Sequence, residues 1–201
     1  MLSRLTHDEA LAIVREGGVV VFPTETAYGL GCRAFDETAV TRVVAAKQRP
    51  VGKPLPVLLP SVAALRTRQV ESPLLLLAEA FWPGALTLVV PAFPALPAAV
   101  TAGTGMVGVR MSAHPVAAAL VEALGEPLVA TSANRSGEPA ARGPAACDAA
   151  GLSGVDGLVE GGEVAGTAST VVGLVAGDLK LFREGPISEA ELRAVWDPVR
   201  R

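Results

Sequence analysis

Gly17-Gly18-Val19-Val20-Val21-Phe22-Pro23-Thr24-Glu25-Thr26-Ala27-Tyr28-Gly29-Leu30-Gly31 decides the fold class. Val19 to Phe22 is an unbroken apolar run, the pattern of a strand buried on both faces. Such a strand belongs to a sheet covered by helices, and this predicts an α/β protein. Pro23 to Gly31 reads as the turn that leaves the strand end. It carries the chain's one tyrosine, two hydroxyls and one carboxylate. In open α/β sheets ligands bind just beyond strand ends, so a polar pocket is expected here. An ordinary Pro/Thr/Gly turn is the plainer alternative.

Outward from this stretch the elements alternate. Upstream, Thr6 and Glu9 form a capping box that opens an amphipathic helix, and Gly17-Gly18 end it. Downstream the pattern predicts a helix over Glu37 to Lys47 and a buried strand over Leu55 to Leu59. Helical pattern runs from Ser61 to Ala80 in two pieces and stops at Pro83-Gly84. Strands follow at Leu86 to Val90 and Met106 to Arg110, with Pro115 in the first turn of a helix reaching Leu124. Leu128 to Thr131 is a strand entering a polar loop. A helix over Pro144 to Ala150 precedes strands around Leu158, Thr170 and Leu181, and Ser188 with Glu191 caps a last helix. Strand–helix units mixed with consecutive strands predict a mixed α/β sheet flanked by helices. No repeat or long linker divides the chain, so one domain over 1–201 is expected.

Composition narrows the function classes. Half of the residues are hydrophobic, 18% are charged, and the net charge is −3. A dedicated nucleic-acid binder needs a basic balance to neutralise phosphates, so bulk charge speaks against RNA as the primary ligand. Cys32 and Cys147 lack any C-x-x-C spacing and read as small buried hydrophobes, not as a zinc site or a disulfide framework. Ala80 to Val109 carries no charge, but Pro83, Pro91, Pro94 and Pro97 break it short of a membrane span. The start shows no signal-peptide pattern. A soluble, cytoplasmic protein away from membranes is expected.

Lysine is rare: Lys47, Lys53 and Lys180 are the whole set. Two of them fall in Lys47-Gln48-Arg49-Pro50-Val51-Gly52-Lys53-Pro54. Cations favour a helix C-terminus, which accounts for Lys47 but not for Lys53 beyond two helix-breaking residues. Three cations on one stiffened loop repel each other unless an anion joins them, and a polyphosphate fits. Thr131-Ser132-Ala133-Asn134-Arg135-Ser136-Gly137 also follows a strand, and its hydroxyls and amide can donate to phosphate or ribose oxygens. Gly103-Thr104-Gly105-Met106-Val107-Gly108 matches G-x-G-x-x-G in the wrong context, because it leads into a strand, not a helix. His7 and His114 sit at helix starts without partners at metal spacing. With so few histidines a Ser-His-Asp arrangement is a poor fit. Arg110 and Arg183 each end an apolar strand, where they either snorkel or meet an anion in a cleft.

Seven motifs taken in order are similar to those of the YrdC family, in its short, TsaC-type form. They are P-T-E-T-A-Y-G-L at Pro23 to Leu30, K-x-R-P-x-x-K-P-L at Lys47 to Leu55, and W-P-G at Trp82 to Gly84. The others are G-V-R at Gly108 to Arg110, T-S-A-N-x-S-G at Thr131 to Gly137, S-T-V-V at Ser169 to Val172 and F-R-E-G at Phe182 to Gly185. The resemblance implies a YrdC/RibB-like twisted mixed sheet with a basic concavity. It also implies an adenylate-forming nucleotidyltransferase that joins L-threonine, bicarbonate and ATP into threonylcarbamoyl-AMP, releasing pyrophosphate, for tRNA threonylcarbamoyladenosine. By the same resemblance Lys47 and Arg49 take the catalytic role. ATP falls to Lys47, Arg49, Lys53, Met106, Ser132, Asn134, Ala140 and Arg183. L-threonine falls to Thr26, Tyr28, Arg110, Ala130 and Ser169. Mg²⁺ is expected on the ATP phosphates, without a dedicated protein metal site. A downstream tRNA threonylcarbamoyl-transfer machinery is the implied partner.

Two positions depart from the family pattern: Leu58 stands where longer relatives often carry histidine, and Gly173 where aspartate commonly follows S-T-V-V. Two other readings stay open at this point. One is a non-catalytic module binding tRNA or double-stranded RNA, or associated with the ribosome. The other is a carbamoyl-adenylate-forming domain of the hydrogenase-maturation type, which carries zinc-finger segments that two cysteines cannot supply.

Overall fold

The computed structural model describes residues 1–50, 52–66, 70 and 72–199. Part of the helical stretch expected over Ser61 to Ala80, and Val51 in the cation loop, lie outside the described residues. The chain starts with a short strand β1 (Arg4–Leu5) and helix α1 (His7–Arg15), closed at its N-terminus by the expected Thr6–Glu9 capping box. Strands β2 (Val20–Pro23) and β3 (Tyr28–Gly31) follow, then helix α2 (Glu37–Ala46) capped by Asp36 and strand β4 (Val57–Leu58). Helices α3 (Ala63–Arg66) and α4 (Ser72–Phe81) lead into β5 (Leu86–Pro91), α5 (Ala98–Thr101) and β6 (Met106–Arg110). Helix α6 (Pro115–Leu124) has Pro115 in its first turn and a left-handed Gly125 after its end. The strands β7 (Leu128–Val129) and β8 (Thr131–Ser132), helix α7 (Pro144–Ala149) and strand β9 (Gly157–Val159) come next. The hairpin β10 (Thr170–Val175) and β11 (Asp178–Arg183) and helix α8 (Glu189–Trp196) complete the order.

Two mixed sheets form where the sequence predicted one. The first runs β1-β9-β2-β3-β8, the second β11-β10-β5-β6-β4-β7. They meet where the chain passes from β7 to β8. Leu128 and Val129 pair with β4 of the second sheet, while Thr131 and Ser132 pair with β3 of the first. Ala130 is the joint, and its N–H donates to Pro56 O at 3.0 Å. The expected strand over Leu128 to Thr131 is therefore two short strands serving different sheets.

Tyr28 to Gly31 is a strand and not the expected turn. It pairs antiparallel with β2, from Val20↔Gly31 to Pro23↔Tyr28. Its glycines are required by close packing. A Cβ on Gly31 would lie 2.0 Å from Val129 O, and one on Gly29 would lie 3.3 Å from the Phe22 ring. Between the sheets and helices the core divides into two clusters. One gathers α1 and α6 residues (Ala10, Val14, Leu120, Val121) on Val20, Phe22 and Leu128, and the other holds most of the remaining aliphatic residues. Cys32 and Cys147 are buried free thiols, each pushed up to about 12 mainly by burial. Among the described residues no helix is long and apolar enough to cross a membrane.

Candidate active site

A cleft of about 420 Å³ opens between the two sheets. One wall is the β2–β3 connection and β8, with Thr24, Thr26, Tyr28, Thr131 and Ser132. The facing wall is the second sheet, from which Thr87, Val89, Met106, Gly108, Arg110, Val171 and Arg183 point inward. These residues share a face because alternate residues of a strand do, and cross-strand partners point the same way. Three arginines, Arg49, Arg110 and Arg183, are the charged residues among the described lining, and no carboxylate, histidine, cysteine or lysine lines it.

Arg110 ends β6 and is 7% exposed. Its Nη1 donates to Thr26 Oγ1 at 2.8 Å and lies 3.5 Å from Glu25 Oε1. Thr26 Oγ1 is in turn 2.9 Å from Thr24 Oγ1, whose hydroxyl donates to Ala27 O at 2.6 Å. Burial lowers the Arg110 pKa, Glu25 raises it and Arg183 lowers it again, so two cations on the same wall of the cleft act on each other. A guanidinium stays protonated under this pressure, and an anion between the two arginines would relieve it. Glu25 is held on its other oxygen by the Ser112 hydroxyl, while Oε1 has no hydrogen-bond partner.

Arg183 extends the opposite end of this row. Its Nε donates to Ser169 O at 2.9 Å and its Nη2 to Ser169 Oγ at 3.1 Å. Ser169 Oγ also sits 2.8 Å from Thr87 Oγ1, so hydroxyls carry the polar row from Arg183 to β5, the strand beside that of Arg110. Arg49 folds back on its own loop, donating from Nε to Lys53 O (3.0 Å) and from Nη2 to Pro54 O (2.6 Å). Burial lowers the pKa of both Arg49 and Arg183.

Thr26, Tyr28, Arg49, Met106, Arg110, Ala130, Ser132, Ala140, Ser169 and Arg183 line the cleft, as does Leu58. Lys47, Lys53 and Asn134 do not. Lys47 is almost fully buried, and its Nζ donates to Ser132 O and, at 2.7 Å, to Asn134 O. Its pKa falls to about 8, chiefly by burial and secondarily by Arg49, and the two carbonyls favour the charged form. Lys47 therefore holds the Ser132–Asn134 loop from behind. Asn134 spends its amide on Arg135 O and Glu138 O and leaves Oδ1 without a partner. Lys53 is exposed. The Tyr28 hydroxyl donates to Gly162 O at 2.8 Å and accepts from Gly161 N, so this residue presents packing surface to the cleft. Thr24 and Thr87 were missed. Thr87 could have been found as the one hydroxyl in the apolar run Leu86 to Val90, at the same strand phase as Val89.

Comparison with known proteins agrees with this geometry. A family profile, Sua5/YciO/YrdC, described as "Telomere recombination", matches residues 12–185. A threonylcarbamoyl-AMP synthase of Pyrococcus abyssi is 39% identical over 194 residues, covering 95% of this chain and 57% of the relative. One from Xanthomonas euvesicatoria pv. vesicatoria is 45% identical over 166 residues, covering 80% and 88%. The crystal structure of P. abyssi Sua5 complexed with L-threonine superposes with a TM-score of 0.89 at 36% identity, over 96% of this chain and 59% of that one. The chain thus spans little more than half the length of the P. abyssi protein. With its profile match, its cleft and its fold in accord, the chain belongs to the Sua5/YciO/YrdC family.

Proposed function

We propose that the chain is an L-threonylcarbamoyl-adenylate synthase, a single domain over 1–201 acting in the cytoplasm on ATP, L-threonine and bicarbonate. The observation that carries this is the cleft itself, whose charged described residues are three arginines and which holds no nucleophile–base pair. Such a site suits two anionic substrates that react with each other, not with the enzyme. The names of the P. abyssi and Xanthomonas relatives and the threonine complex of P. abyssi Sua5 support the same activity.

Arg110 and Thr26 take the threonine carboxylate and hydroxyl, with Leu58, Ala130, Ser169 and the Tyr28 ring around the side chain. Arg49, Ser132 and Arg183 take the ATP phosphates, with Met106 and Ala140 beside the nucleoside. Lys53 reaches the phosphates from the rim, and Lys47 and Asn134 hold the Ser132 loop at its working height. The threonine amine adds to CO₂ with loss of a proton, or to bicarbonate with loss of water, to give a carbamate. A carbamate oxygen then attacks the α-phosphorus, and the bond to the β-phosphate oxygen breaks as pyrophosphate leaves. The arginines neutralise the charge that builds on the phosphates and keep the two anions in reach.

Mg²⁺ enters as part of MgATP. Among the described residues no group of three or more His, Cys, Asp or Glu is gathered for a metal, and an ion ligated by phosphate oxygens and water needs none. A tRNA-modifying transferase is the class of enzyme that would consume the product.

Mass analysis of the nucleotide product tests the assignment. Threonylcarbamoyl-AMP formed from ¹³C-bicarbonate, with the label in the product, is expected. AMP or ADP alone, or an adenylate lacking the carbamoyl carbon, would refute it. The RNA-binding alternative predicts nanomolar RNA affinity without any threonine-dependent turnover.

A further inference from the structure

Arg110 is held unevenly. Its contacts with Thr26 Oγ1 and Glu25 Oε1 both fall on Nη1, at 2.8 and 3.5 Å. Only the first is a hydrogen bond. An arginine and a carboxylate that pair directly close to about 2.7–2.9 Å, frequently through two nitrogens. Glu25 Oε1 is instead buried without a hydrogen-bond partner. Buried polar atoms in that state are uncommon, and each one carries a cost.

Ser112 holds the carboxylate back. It lies two residues past the end of β6, is buried, and donates its hydroxyl to Glu25 Oε2. The direction is fixed. The same oxygen accepts from His114 N at 3.2 Å, and a backbone N–H can only donate. His114 is the N-cap of α6, its Nδ1 accepting from Val116 N, so Ser112 is tied to a helix start. Glu25 itself comes from the connection between β2 and β3, on the other side of the cleft from β6. The carboxylate is thus bound by a serine and only approached by the arginine.

We infer that Ser112 is a positioning residue, which holds Glu25 off Arg110 and so leaves the guanidinium open to a substrate carboxylate. This rests on Arg110's receiving the threonine carboxylate, as proposed above. Burial and Arg183 press against the charge on Arg110, and Glu25 supports it without occupying a donor. Released from Ser112, the carboxylate would close on Arg110, and threonine would have to displace it. Glu25 also repels a bound carboxylate, being a like charge beside the same guanidinium. Ser112 and Glu25 therefore act on threonine affinity with opposite sign, which a shared structural role would not produce.

Calorimetric binding of L-threonine, with and without a non-hydrolysable ATP analogue, tests this without requiring turnover. Ser112→Ala should weaken threonine binding about tenfold, the scale of one hydrogen bond to a charged group. In steady state the loss should appear in the KM for threonine and not in kcat. Glu25→Gln keeps an acceptor for Ser112 but removes the charge, so threonine should bind about fivefold tighter. The double variant Ser112→Ala/Glu25→Gln should bind like Glu25→Gln alone, because a neutral amide competes far less for Arg110. It carries the same deletion at 112, so damage to the fold would show there as an equal loss. Ser112→Thr should bind like wild type, its extra methyl having room in the hollow of about 190 Å³ that Ser112 lines. Weaker binding in Glu25→Gln, unchanged binding in Ser112→Ala, or the full Ser112→Ala loss in the double variant overturns the assignment. A wild type that binds no threonine refutes it together with the site. One that binds threonine but forms no threonylcarbamoyl-AMP leaves it standing and refutes the proposed reaction.

Discussion

Arg110 enters the cleft already engaged, with Thr26 at 2.8 Å and Glu25 at 3.5 Å. Its removal should therefore have two separable consequences. Arg110→Ala should raise the KM for threonine roughly 10- to 100-fold, the worth of a charge-assisted hydrogen bond to a carboxylate. It should also destabilise the fold by about 2–3 kcal/mol, because Glu25 is left without its counter-charge. The double variant Glu25→Gln/Arg110→Ala should regain most of that stability and none of the threonine affinity, as urea unfolding and steady-state kinetics would show. Lys47 gives a pH signature. Its pKa is about 8 in the folded chain against an ordinary 10.5, so between those values the unfolded chain binds more protons. Stability contributed through Lys47 must then rise with pH across that window. Relative to Lys47→Met, wild type should gain at least about 1 kcal/mol from pH 8 to 10, or roughly 0.5 M in urea midpoint. A flat or falling difference would show that the two carbonyl contacts outweigh burial. Residue types alone mark which side chains can meet an anion, and Arg49, Arg110 and Arg183 do converge. They could not tell that Lys47 turns away from the cleft, since its direction depends on carbonyls 85 and 87 residues distant.

Where β3 and β7 run against each other, a backbone contact decides what the element tolerates. Gly31→Ala would drive a Cβ to 2.0 Å from Val129 O, a backbone atom, and to 2.8 Å from the Phe22 ring, with no flexible tip to yield. A loss of about 3 kcal/mol, or roughly 10 °C in Tm, is expected. Gly29→Ala meets only the edge of the Phe22 ring at 3.3 Å and should cost less than half as much. Thermal unfolding of the two variants checks the ordering, and equal losses would contradict it. This strand was the least legible element. Glycine lowers strand propensity, and Tyr-Gly-Leu-Gly reads as a turn, although Tyr28 and Leu30 alternate with Gly29 and Gly31 at a strand's period of two. By contrast both capping boxes, at Thr6–Glu9 and Ser188–Glu191, were readable because their logic is local. The division into two sheets was not readable, because it hangs on a single residue, Ala130, changing partners.

Across the whole molecule a net charge of −3 surrounds a cleft whose charged described residues are all cationic. Small anions are drawn inward, while an extended polyanion meets a mostly repelling exterior. RNA affinity should accordingly be weak, in the micromolar range or poorer, and fall steeply with salt in a filter-binding titration. The central claim is that catalysis here is the joint positioning of two anions. Substrate omission tests it most directly, with pyrophosphate release followed in ATP alone and with L-threonine and bicarbonate added singly and together. Release only when all three are present, and its loss in Arg49→Ala, is the predicted result. Pyrophosphate released at the same rate without threonine, or by Arg49→Ala at the wild-type rate, would contradict it.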